Sequence, residues 1–148
     1  MISQSAIQVI EVQPVPAMVL ARTLSGSDWP GAVARGISRL RRSIAAARLS
    51  TAGPPFLRYR TLDPLEFEVG IPVDRPQSVP GLRTAILPGG LAASVDHVGP
   101  IDDLPTVLAE LAEWVDRSAE SAGRPWQWHW TELDHAEPRT QIVWPIRR

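Results

Sequence analysis

Apolar positions along this chain fall into two spacings, and their order recurs once. Ile7–Val12 alternates in the manner of a strand with one buried face, and Pro14-Val-Pro interrupts it. Ala17–Leu24 is predicted as a second strand, ending at Ser25-Gly-Ser. The period then lengthens. Val33, Ile37, Leu40 and Ile44 recur at helical spacing behind Asp28, a good N-cap, with Pro30 near the first turn. Gly53-Pro-Pro stops that helix, and Phe56–Arg60 and Glu66–Val73 follow as strands on either side of the turn Leu62-Asp-Pro. Arg75–Gly81, with two Pro and a Gly, reads as a linker.

The second half repeats the first. Leu82–Leu87 and Ala92–Val98 are predicted strands about Pro88-Gly-Gly, and a helix capped by Asp102 or Asp103 follows Gly99-Pro. Its apolar stripe is Leu104, Val107, Leu108, Leu111, Trp114 and Val115, with Gly123 as its stop. Trp126–Asp134 and Thr140–Ile146 close the pattern as strands. The prediction is an α+β fold of one domain over residues 1–148. It has two ββαββ halves, about 1–75 and 82–148, related by an approximate twofold axis. Their antiparallel sheet carries both helices on one face.

Composition removes whole classes of chemistry. The 148 residues include no Cys, and all 15 basic residues are Arg. That excludes disulfides, thiolate metal sites, a cysteine nucleophile, the P-loop lysine and Schiff-base catalysis. A formal net charge of −1 gives little to attract nucleic acid. No export signal or membrane span is visible, so a cytoplasmic location is expected.

The stretch Trp126-Gln-Trp-His-Trp-Thr-Glu132 is the most informative. In a strand, Trp126, Trp128, Trp130 and Glu132 share one face, while Gln127, His129 and Thr131 share the other. Three indoles and a carboxylate make either core filler or an aromatic cage for a cation, each indole contributing about 0.5–2 kcal/mol to the latter. Trp29 and Trp114, on the two helices, extend the aromatic candidates. His97, His129 and His135 lack metal-ligand spacing, and no metal or cofactor is expected. Arg35, Arg39 and Arg42 on the first helix, and the acidic residues of the second, read as solvated faces.

Several motifs together resemble the GyrI-like small-molecule-binding domain, which is also the effector-binding module of AraC- and MerR-type regulators. They are Leu87-Pro-Gly-Gly-Leu-Ala, Asp96-His-Val-Gly-Pro, the helix from Leu104 to Trp114, and the ending Trp130-Thr-Glu-Leu-Asp to Ile142-Val-Trp-Pro-Ile. In the first half, Tyr59 and Phe67-Glu-Val-Gly-Ile-Pro-Val match too. The resemblance implies a hydrophobic tunnel that takes up lipophilic, often cationic compounds. A buried Glu, by motif position Glu132, would be its anchor. Where the family commonly has an aromatic two residues further on, this chain has Asp134, and Tyr59 is the substitute from the first half. The first strand begins by Ile7, which leaves no room ahead of it for a helix-turn-helix, so a stand-alone copy is expected.

Three functions follow from the resemblance. One is binding or sequestration of a hydrophobic, cationic or planar aromatic molecule. Another is hydrolysis of cyclopropane-bearing toxins, with Glu132 as general acid or base, Tyr59 assisting, and Glu66 or Glu68 as a second carboxylate. The third, gyrase inhibition, has no supporting residue here.

Overall fold

The computed structural model describes residues 6–23, 28–62, 65–132 and 135–148. The expected breaks at Ser25-Gly-Ser and Leu62-Asp-Pro, and the position of Asp134, lie wholly or partly outside these. The described residues form nine strands and two main helices: β1 (Gln8–Val12), β2 (Val15–Thr23), α1 (Trp29–Ala46), β3 (Phe56–Leu62), β4 (Leu65–Pro72), β5 (Arg83–Leu87), β6 (Gly90–Val98), α2 (Leu104–Ser118), β7 (Glu120–Ser121), β8 (Trp126–His129) and β9 (Arg139–Arg147). All strand pairs described are antiparallel, so the α+β class holds.

The chain divides into two compact units, and the division is not at the linker. One is Pro14–Leu87; the other joins Met1–Gln13 to Pro88–Arg148. The first strand of each sequence half has changed places: β1 pairs with β6, and β5 pairs with β2. A sequence repeat fixes the type of each element but not its partner, because either strand satisfies the same alternation.

In the first unit the strand order is β3-β4-β2-β5. Asp28 caps α1 by accepting a hydrogen bond from Gly31 N at 3.1 Å, and Pro30 occupies the first turn. The helix buries Val33, Gly36, Ile37, Leu40 and Ile44. Gly36 lets it approach Val69 of β4 and Arg22 of β2, since a Cβ there would stand 3.1 Å from a Val69 methyl. The helix-facing side of the sheet is therefore Met18, Leu20 and Arg22 of β2, with Leu57 and Tyr59 of β3 and Phe67, Val69 and Ile71 of β4. Alternate residues, including Phe56, Arg58, Glu68 and Gly70, face away from α1.

In the second unit the order is β1-β6-β9-β8, with β7 added beside the end of β9. Leu104, Val107, Leu108, Leu111 and Val115 form the buried stripe of α2, as predicted. Its start differs: Ile101–Asp103 makes a 3₁₀ turn, and Asp103 occupies the N-cap without a side-chain hydrogen bond. Its end also comes early. Ala119 is extended, β7 follows at once, and Gly123 stands in the loop beyond. Arg35, Arg39 and Arg42 of α1 are all exposed. No described helix is long and apolar enough to cross a membrane.

Candidate functional site

The register of β8 against β9 decides where the tryptophans point. Trp126 pairs with Val143, Gln127 with Ile142, Trp128 with Gln141 and His129 with Thr140. Trp126 and Trp128 thus share a face with Val143 and Gln141. Trp130 lies just past the strand, but its N–H still bonds to Arg139 O at 3.0 Å, continuing the ladder. Its indole Nε1 donates to Gln141 Oε1 at 3.2 Å, which places it on the same face. The rings of Trp128 and Trp130 lie 6.0 Å apart, tilted by 36°. The three indoles share a face, as the alternation predicts. They form a gradient: Trp126 is buried, Trp128 half-buried, and Trp130 47% exposed.

Glu132 does not belong to that burial. β8 ends at His129 rather than running on towards Asp134, and Glu132 lies in the loop, exposed, its carbonyl accepting from His135 N at 3.1 Å. Thr131 explains the break. Its hydroxyl accepts from Arg139 N at 2.9 Å, so a side chain replaces the next ladder partner and the chain turns away. The expectation of a buried Glu132 is therefore corrected, and with it the desolvation on which an acid–base role rested. The other site candidates scatter. Tyr59 is buried on the α1 side of the first unit beside Phe67, where burial raises its pKa. Trp29, at the start of α1, and Trp114, on α2, are each half-buried.

Among the described residues the buried carboxylate is Glu68, fully enclosed on the face of β4 away from α1. Arg58 grips Oε1 through Nε and its terminal nitrogen, and Arg83 Nη2 reaches Oε2 at 2.6 Å. Arg58 is itself nearly buried, while Arg83 is largely exposed. Two cations on one anion leave Glu68 already neutralised, unlike an open anchor for a cationic ligand. Glu66, also on that face, is half-buried.

Residues overlooked from sequence occupy the reverse face of β8. Gln127 and His129 are both buried, side by side with Ile142 and Thr140. Burial lowers the His129 pKa to about 4. Two buried polar atoms here, His129 Nδ1 and Thr140 Oγ1, have no hydrogen-bond partner among the described residues, nor does Trp126 Nε1 on the indole face. The signal was present in the sequence as polar residues between large apolar ones. Alternation alone does not report it, because β8 is buried on both faces.

The arrangement is that of a small α+β binding domain: an aromatic face grading from core to solvent, beside a strand pair rich in unsatisfied polar groups. The chain belongs to the family of GyrI-like small-molecule-binding domains, whose pattern matches residues 5–147. No curated protein matches it. Among solved structures, the EcmrR C-terminal domain superposes with a TM-score of 0.82 at 17% identity, covering 96% of this chain and 97% of that one. The EcmrR–DNA complex gives the same TM-score at 18% identity, and this chain spans 57% of the EcmrR chain there. SAV2435 bound to tetraphenylphosphonium is similar at TM-score 0.62 and 14% identity, covering 95% and 93%. A hydrolase from Listeria innocua is similar at 0.61 and 10%, covering 95% and 90%.

Proposed function

We propose that this chain binds a lipophilic aromatic molecule on the indole face of β8, as a receptor or sequestering protein rather than a catalyst. One observation carries the reading: Trp126, Trp128 and Trp130 present a continuous aromatic face that runs from core to solvent. Flat apolar surface stacks on such a face, and a positive charge adds a cation–π attraction of about 0.5–2 kcal/mol per ring. Glu132 contributes at the rim, screened by water. The likeness to SAV2435, which holds a lipophilic phosphonium, supports the same ligand class.

Hydrolysis has the likeness to the Listeria innocua hydrolase in its favour. The residues favour binding instead, since Glu132 is exposed and Glu68 is paired with two arginines. The test is a titration with tetraphenylphosphonium followed by tryptophan fluorescence. Quenching is expected, and Trp128→Ala should weaken binding about tenfold, or about 1.4 kcal/mol. Absence of quenching in the wild type, or an unchanged affinity in Trp128→Ala, would sink the proposal.

A further inference from the structure

The reverse face of β8 is polar where a core should be apolar. Along it the register lines up Val95, Ile142 and Gln127 in one row, and His97, Thr140 and His129 in the next. Val95, Ile142, Gln127, Thr140 and His129 are all buried, and half-buried His97 is engaged with Pro100 O at 3.2 Å. His129 and Thr140 are directly opposed across the strand pair, so their side chains are neighbours.

The hydrogen bonding of the imidazole gives this pair its chemical character. Gln127 Nε2 stands 3.4 Å from His129 Nε2. With the amide nitrogen as donor, Nε2 is the acceptor, and the neutral ring is assigned its proton on Nδ1. That N–H and the Thr140 hydroxyl beside it have no partner among the described residues. A buried donor left unmet is costly and therefore uncommon in native proteins. Here two lie side by side, each able to donate to one oxygen with two lone pairs. A cation has no lone pair to offer them. An anion is equally unsuited, because no described arginine bonds to either residue and the site is desolvated.

We propose that the His129–Thr140 pair is a second binding site, distinct from the indole face, for the acceptor oxygen of an uncharged, otherwise apolar molecule. The oxygen is that of a ketone, an amide or a phosphine oxide. His129 Nδ1–H and the Thr140 hydroxyl donate to it, and Gln127 holds the imidazole in the required tautomer. The site lies on the opposite side of the strand from the tryptophans, so the two ligand classes occupy different faces.

Triphenylphosphine oxide is the probe, with tetraphenylphosphonium as the counterpart of similar shape that lacks an acceptor. Calorimetry should show the oxide binding to the intact protein without displacement by the phosphonium. Thr140→Val and His129→Phe should each weaken the oxide about tenfold. In the ligand-free protein Thr140→Val should not lower Tm, because it removes an unmet polar group rather than a made bond, whereas His129→Phe also gives up the contact with Gln127. The His129 imidazole nitrogen signals supply a readout independent of any variant: a protonated Nδ1 whose resonance moves when the oxide is added. Any of four results overturns the proposal: no binding of the oxide, displacement by the phosphonium, unchanged affinity in Thr140→Val, or an imidazole protonated on Nε2. Weak phosphonium binding with intact oxide binding would instead count against the indole-face reading alone.

Discussion

β3 with β4, and β8 with β9, are the same scaffold filled in two ways. Both outer pairs align on a proline: Ala17 of β2 faces Pro72, and Ala92 of β6 faces Pro145. Counting from there, Phe56–Gly70 corresponds to Trp126–Val143, Arg58–Glu68 to Trp128–Gln141, and Tyr59–Phe67 to His129–Thr140. In the first pair the charge is cancelled within the fold and the helix-facing residues are aromatic. In the second the same positions hold two indoles, an amide, a hydroxyl and an imidazole, and Trp126 Nε1, His129 Nδ1 and Thr140 Oγ1 have no partner among the described residues. One strand pair settles its buried charge within itself; the other keeps buried polar atoms that have no partner among the described residues. Equivalent backbones thus carry different polar pairing by side chain alone.

The comparison breaks most visibly at its charged position. Glu68→Gln leaves Arg58 nearly buried without its partner, a loss of about 3–5 kcal/mol. Gln141→Leu, at the equivalent site, loses hydrogen bonds to Ser94 and Trp130 from a half-buried side chain, about 1 kcal/mol. Chemical denaturation of the two variants tests the contrast, and equal losses would erase it.

Tyr59 and His129 should give opposite pH limbs. His129 is depressed from 6.5 to about 4, so the unfolded chain takes up its proton first. The stability it contributes is complete above pH 6.5 and falls as pH drops towards 4, by about 3 kcal/mol in all. Tyr59 is raised, so its contribution is present below its ordinary value near 10 and is lost as pH climbs above that. Among the described residues Thr140, His97 and Gln127 flank the imidazole along the sheet, none of them a carboxylate, and burial is the cause of the shift. Denaturation curves of His129→Phe should lack that limb, and Tyr59→Phe the alkaline one. Limbs that persist would assign the titration elsewhere.

Packing sharpens the contrast further. Gly70 lies under the Phe56 ring, and a Cβ would overlap it, so Gly70→Ala should destabilise by about 1–3 kcal/mol, measured by thermal melting. A neutral outcome would mean that the ring moves freely. The smallest effect belongs to Glu132. Glu132→Gln should weaken tetraphenylphosphonium by less than about 1 kcal/mol, because the carboxylate is exposed. A larger loss in calorimetry would restore it as the anchor.

The legible and illegible parts of this chain divide along a physical line. Hydrophobic period placed the helices, and the alternation put Trp126, Trp128 and Trp130 on one face, because these depend on local geometry. Asp28 acted as a cap for the same reason. The fate of Glu132 depended on one hydroxyl, Thr131, ending a strand early, which no periodicity reports. Glu68 reads in sequence as one carboxylate among many. Only the register brings Arg58, 10 residues before it, and Arg83, 15 after it, onto the same oxygen pair. Strand exchange was hidden similarly, since β1 and β5 satisfy the same pattern against either edge.

That exchange sets an order of events at the ribosome. Pro14–Leu87 is contiguous, so once Leu87 has emerged the β3–β4, β4–β2 and β2–β5 pairings can all form. Gln8–Val12 is made first yet must wait for Gly90–Ser94, while the whole of the other unit is synthesised between them. Its backbone donors and acceptors stay with water throughout, and the loop that finally closes is paid for late. The unit with the settled charges is complete before the one bearing the indoles and the imidazole has acquired its central strands.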